Sequence, residues 1–181
     1  TNHIMLKRFK DLESAMRRHS IEPAVFVVSL GSDGKTNVMA CGWNVKLSYK
    51  PPLIGVSLKK TGYTHHLIEA KKQFVIAVPT PNLEKELLFA GNVTGTKVDK
   101  LAELNLRTQP ADEIEVPILS DARANFECVL EQKVDVGDHY LYVGRVVSAH
   151  YDPSQDQLFF PGRNPDNSKR FESIKTTFPG E

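Results

Sequence analysis

Few side chains in this 181-residue sequence are of a type and spacing that could do chemistry. His65 and His66 stand side by side, but adjacent side chains on a helix or strand point in different directions. The pair therefore reads as a surface or cofactor-edge feature rather than a chelate. Cys41 and Cys128 lie far apart, and neither belongs to a C-x-x-C pair. A zinc site would need about four ligands at tighter spacing, so two free thiols are expected. Gly91-Asn92-Val93-Thr94-Gly95-Thr96-Lys97 imitates a phosphate loop. Its glycines are one residue too close, however, and a residue intervenes before the lysine. G-x-G-x-x-G, G-x-S-x-G and H-E-x-x-H are absent, and no carboxylate pair or Ser/His/Asp set announces acid–base or nucleophilic catalysis. Asn37 offers both a donor and an acceptor; it is either a ligand contact or a hairpin residue capping its own turn. Lys59-Lys60-Thr61-Gly62 taken alone is an ordinary polar turn, and His139 an exposed turn histidine.

The elements that must position these residues are mostly strands. Met5, Phe9, Leu12 and Met16 recur at helical steps and predict an N-terminal helix, ended by Ile21-Glu22-Pro23. The run 24–30 predicts a strand, Gly31-Ser32-Asp33-Gly34 a turn, and 36–43 the returning strand. Pro51-Pro52 precedes a strand over 53–58, and another covers 74–78 before Pro79 and Pro81. A short helix over 63–71 is expected to turn Leu67, Ile68 and Ala70 inward. Asn82 is the expected N-cap of a helix through Phe89. Residues 92–100 predict a polar loop, and 98–104 one or two helical turns. In the second half Phe126, Cys128, Leu130, Val134 and Val136 suggest a strand. After a turn over 135–139, Leu141, Val143 and Val147 alternate with Tyr142 and Arg145. Strands joined by tight turns argue for a mainly β, antiparallel barrel rather than a doubly wound sheet. One domain over 1–181 is expected, with a helical segment at 1–22 and a polar arm at 161–181, either loosely held or an interface segment.

The formal net charge is +1, and no basic stripe exists for neutralising phosphates along a nucleic acid. Lys7-Arg8-Phe9-Lys10 reads as a solvated helix face. No apolar run approaches the ~20 residues that span a bilayer. The first residues show no signal-peptide pattern, so a cytoplasmic protein is expected, in which the sequon Asn92-Val93-Thr94 is idle.

Three segments in order carry a family resemblance. The first is Thr36-Asn37-Val38-Met39-Ala40-Cys41-Gly42-Trp43, followed by Pro51-Pro52-Leu53-Ile54-Gly55-Val56-Ser57-Leu58. The second is Tyr63-Thr64-His65-His66-Leu67-Ile68 with Phe74-Val75-Ile76-Ala77-Val78. The third is Gly137-Asp138-His139-Tyr140-Leu141-Tyr142-Val143-Gly144-Arg145-Val146. Together they resemble the flavin reductase-like family, over roughly residues 23–160. The resemblance implies an antiparallel split β-barrel that binds FMN, with a second subunit completing the pocket in a homodimer. It implies cofactor contacts from Asn37, Val38, Met39, Ala40, Cys41 and Trp43, where small residues let backbone approach a flat ring. It puts phosphate-side contacts among Ser57, Leu58, Lys59, Thr61, Tyr63, Thr64 and His65. Asn92, Thr94 and Lys97 sit where relatives carry a Ser-Gly-Arg-like loop, although Thr96 replaces the arginine. His139 and Arg163 fall on the nicotinamide side, with Asn164 in place of the usual aromatic. The implied activity is an NAD(P)H:flavin oxidoreductase. A flavoredoxin-like carrier with tightly bound FMN and a protein redox partner is the alternative, and a barrel that uses its cleft for another ligand is a third reading.

Overall fold

A computed structural model describes residues 6–104 and 106–175. In chain order it contains α1 (Leu12–Met16), β1 (Glu22–Pro23), β2 (Val25–Leu30), β3 (Thr36–Cys41), β4 (Asn44–Tyr49) and β5 (Pro52–Lys59). There follow α2 (Thr64–Lys71), β6 (Gln73–Val78), a 3₁₀ turn at Pro81–Leu83, α3 (Glu84–Asn92), α4 (Lys100–Leu104), β7 (Thr108–Gln109) and β8 (Ile118–Leu119). The long β9 (Ala124–Val136) and β10 (His139–Tyr151) come next, then β11 (Gln157–Arg163) and β12 (Lys169–Ile174).

Apolar and β-branched VFVVSL forms β2, whose first five residues are buried. The glycine turn then reverses the chain: Gly31 N–H donates to the Lys35 carbonyl, and Gly34 takes a φ of +78°. Seven antiparallel strands follow the order β3-β2-β6-β9-β10-β5-β4. β3 and β4 thus lie at opposite edges although only Gly42 and Trp43 separate them in sequence, so the sheet must curl. Val25 and Val27 on β2 share one apolar cluster with Val56 and Leu58 on β5, although three strands stand between them in the order. The edges do not pair, which leaves the barrel split. The opposite face of β2 and β6 packs Phe26, Val28, Val75 and Ala77 under α3 and under the 111–122 segment.

Gly144 marks the tightest packing inside the curl. A Cβ there would stand 2.6 Å from Phe74 Cζ and 2.9 Å from Cys128 Cβ, next to a bulge between Val143 and Gly144. Overpacking a filled core costs about 1–3 kcal/mol. Gly144→Ala is expected to lower the urea midpoint accordingly, and an unchanged midpoint would contradict this packing.

The expected elements need five corrections. Helix α1 begins only after Asp11, whose carboxylate accepts the Ser14 amide at 2.7 Å as an N-cap. Met5 lies outside the described residues, and Phe9, Leu12 and Met16 are exposed rather than packed. The returning strand stops at Cys41, and NVKLSY, with no apolar run to announce it, forms the edge strand β4. Ala70 is exposed, because α2 turns Thr64, His65 and Ile68 inward. Asn82 lies within the proline-initiated 3₁₀ turn and caps nothing; the amino end of α3 carries Glu84 and Glu86 instead, favourably placed against the helix dipole. The polar arm is, over its described residues, a β11–β12 hairpin that pairs with β1, with Phe160 and Phe171 in contact; residues 176–181 lie outside the described residues.

Candidate functional site

Side chains alternate along β3. Val38 and Ala40 turn to the cluster beneath α3, while Asn37, Met39 and Cys41 turn the other way. Met39 and Leu58 form the apolar floor of a cavity of about 260 Å³, whose rim is Lys59, Thr61, Gly62, Thr64 and His65. Asn37 borders a second cavity of about 470 Å³, together with Asp33, Lys35, Thr36, Tyr63 and the loop from Gly95 to Lys100, which adds Asp99. The two meet at a hydrogen bond: Asn37 Nδ2 donates to Thr64 Oγ1 at 3.0 Å and also to Ser29 Oγ at 3.3 Å. Asn37 is only 8% exposed. Gly95 seats directly on it, since a Cβ there would be 2.0 Å from Asn37 Oδ1.

The expected site residues divide into three groups. Met39, Leu58, Lys59, Thr61, Thr64 and His65 line the first cavity, and Asn37, Tyr63 and Lys97 line the second. Val38 and Ala40 offer only backbone toward this side. Cys41 is buried, and its thiol is pushed up to about 12 by burial. The Ser57 amide is used by the Trp43 carbonyl at 2.8 Å. Asn92 and Thr94 border neither cavity; Thr94 Oγ1 instead pairs with Thr96 Oγ1 at 3.1 Å. His139 is stacked on Trp43 with centroids 4.7 Å apart, its Nδ1 2.6 Å from the Asp138 carboxylate. It lies opposite Lys59 in the β5–β10 register, so the stack stands beside the first cavity. Arg163 is turned into its own hairpin, with Nη1 donating to the Asn167 carbonyl at 2.7 Å.

His65 is tied into the wall of the first cavity. Its Nε2 bonds the Lys60 carbonyl at 2.8 Å, and its Nδ1 faces Glu69 at 3.6 Å without a hydrogen-bond partner among the described residues. Nε2 is therefore used behind the cavity wall, and the ring packs on that of His66, centroids 3.9 Å apart. Glu69 is fixed by Lys133 at 2.6 Å and by the Tyr142 hydroxyl at 2.5 Å, which hold its carboxyl down to about 2. This network shapes the 59–62 turn from behind.

Sequence reasoning missed Lys100, which is 5% exposed and lines the second cavity. Its Nζ donates to the Val38 and Ala90 carbonyls at 2.9 and 3.1 Å, and burial lowers its pKa to about 8. Lys35 and Thr36 escaped notice as well. A cation among the apolar residues of the 98–104 turns was the available signal.

The curled sheet thus carries two adjoining cavities beside an exposed tryptophan. The flavin reductase like domain matches residues 16–167. An uncharacterized protein of Archaeoglobus fulgidus is 39% identical over 123 residues, covering 67% of this chain and 70% of its own. The NADH-dependent FAD reductase of Streptomyces globisporus is 25% identical over 139 residues, covering 76% and 75%. Among solved structures, the flavoredoxin of Desulfovibrio vulgaris (Miyazaki F) superposes with a TM-score of 0.81 over 96% of each chain, at 22% identity. The chain belongs to the flavin reductase-like family, and the oxidoreductase class expected from its sequence stands.

Proposed function

We propose that this chain acts as one domain that binds FMN across the two cavities and passes reducing equivalents from NAD(P)H through it. The observation that carries the reading is an apolar-floored cavity meeting one lined by three lysines and two aspartates at the Asn37–Thr64 hydrogen bond. Met39 and Leu58 suit a flat ring, and Lys59 beside them would stabilise negative charge at its pyrimidine edge. Lys35, Lys97 and Lys100, with Thr36 and Thr96, would hold a terminal phosphate by charge-assisted hydrogen bonds. The first cavity alone is below the ~300–1,000 Å³ usual for cofactor sites, but with its neighbour the volume falls within that range. When bound, FMN would supply the redox chemistry, accepting hydride from a nicotinamide; the protein orients and charges the site. Trp43 and His139 would border the nicotinamide. FMN is favoured over FAD because the sequence holds no second nucleotide motif. Fluorescence titration is expected to show riboflavin binding at least about tenfold more weakly than FMN, since charge-assisted hydrogen bonds contribute ~1.5–3 kcal/mol. Equal affinities, or binding of FAD alone, would contradict the phosphate site.

One observation favours a second reading, a flavoredoxin-like carrier that exchanges electrons with a redox protein such as a ferredoxin. Arg163 and Asn164 spend their side chains on Asn167 and Ser168, leaving this segment little to offer a nicotinamide. Anaerobic addition of NADH and NADPH separates the two readings. The proposed setting is the cytoplasm, where buried Cys41 and Cys128 stay reduced. No helix among the described residues is long and apolar enough to cross a membrane.

The reading extends to a homodimer. The edge strand β4 exposes Val45, Leu47 and Tyr49 by 52%, 43% and 81%, next to half-exposed Trp43. An apolar sheet edge left open invites uncontrolled pairing unless something covers it, and a two-fold copy is the commonest cover. Trp43 links this edge to His139 and so to the first cavity. Val45→Lys with Tyr49→Lys is expected to give a monomer by light scattering, with weakened FMN binding. A wild-type monomer that holds FMN tightly would contradict the dimer.

A further inference from the structure

Away from both cavities, Glu127 sits in the middle of β9 with no exposed surface. The segment before β8 delivers two backbone donors to it: Asp112 N–H to Oε2 at 3.0 Å and Glu113 N–H to Oε1 at 2.8 Å. From β10, His150 brings Nε2 to 2.6 Å from Oε2, and Asp112 Oδ2 lies 3.6 Å from the same nitrogen. One ligand atom from each of Asp112, Glu127 and His150 lies within 4.8 Å of the other two. Two carboxylates thus converge on one imidazole, and among the described residues the ion pairs of both are with His150 alone. Like charges this close call for a cation between them.

We propose that Asp112, Glu127 and His150 form a site for one divalent transition-metal ion of the zinc class. A mixed imidazole and carboxylate set suits zinc, cobalt or manganese, whereas calcium and magnesium prefer oxygen alone. Tetrahedral zinc with bonds of about 2.0–2.2 Å sets its ligand atoms about 3.3–3.6 Å apart. Side-chain shifts reach that spacing from the 2.6 and 3.6 Å separations at His150, with all three ligand atoms already within 4.8 Å of one another. The backbone amides on Glu127 act as outer-sphere partners that fix its carboxylate. Partly exposed His150 and exposed Asp112 leave an entry path and a fourth position for water. The ion takes the place of the direct contact between His150 Nε2 and Glu127 Oε2. In doing so it ties the 110–117 segment, with buried Ile114 and Val116, onto the sheet.

The test uses tag-free protein, stripped with EDTA and desalted, and titrated calorimetrically with zinc chloride. Wild type is expected to bind one equivalent and to melt at higher temperature with zinc, because a ligand that binds only the folded state stabilises it. Asp112→Asn and His150→Gln are each expected to bind at least about 100-fold more weakly, since losing an outer-sphere partner alone costs about 10–100-fold. Both should lose the zinc-dependent melting shift while keeping wild-type FMN affinity and a wild-type circular dichroism spectrum. No zinc binding by wild type, or wild-type zinc affinity in both variants, overturns the site whether or not flavin binds.

Discussion

His139→Ala is expected to slow reduction of bound flavin by NADH or NADPH about a hundredfold while leaving FMN affinity nearly unchanged. The histidine is 8% exposed, clamped between the Trp43 ring and the Asp138 carboxylate, and it contacts neither Asn37 nor the lysines of the second cavity. Its removal frees Trp43 to change pose next to the first cavity. Small misplacements of a hydride donor can cost about a hundredfold in rate. Stopped-flow bleaching with each nucleotide measures the effect. An unchanged rate in a protein that oxidises NAD(P)H would make His139 a structural turn residue. If the protein is instead a carrier, electron exchange with its protein partner should be nearly unaffected by the change.

The second large effect belongs to Lys100 and depends on pH. Burial lowers its pKa from 10.5 to about 8, so the ammonium is present below about pH 8 and lost above it. FMN affinity is therefore expected to fall about tenfold or more as pH rises through 8, the loss of one charge-assisted hydrogen bond. A bound phosphate draws the transition upward. Stability of the FMN-free protein moves the opposite way. The folded-state value lies below the unfolded one, so the cost of burying the ammonium is present below pH 8 and is relieved between about 8 and 10.5. Lys100→Met should flatten the pH dependence of FMN affinity and leave riboflavin binding unchanged. An FMN affinity with the same pH profile in the variant would take Lys100 out of the phosphate site.

Much of this fold was legible because its signals are local. The run AVFVVSL, the glycine turn after it and the Pro51-Pro52 break each report a backbone preference that burial does not override. β4 was not legible, because NVKLSY is an edge strand whose apolar side chains face outward, with no inward pattern to detect. The β11–β12 hairpin was hidden for a related reason: its described residues are held largely by pairing with β1 and by the Phe160–Phe171 contact, which a local reading cannot see. Asn37, Met39, Lys59 and Thr64, which the family resemblance names on strands and turns, line the two cavities. Lys100 was missed because its role comes from a tertiary event, burial against the Val38 and Ala90 carbonyls. His65 lines the first cavity, but its Nε2 is drawn away by the Lys60 carbonyl and its Nδ1 faces Glu69, neighbours invisible in sequence spacing.

The central claim is that the two cavities together hold FMN. Its most direct test is the visible absorption spectrum of the protein after saturation with FMN and removal of free ligand, followed by chromatography of the flavin released on denaturation. Flavin bands at one FMN per chain are expected, with loss of most of that FMN when Lys97 and Lys100 are both replaced by methionine. A colourless protein after saturation, or one that retains FMN equally well without the two lysines, would contradict it.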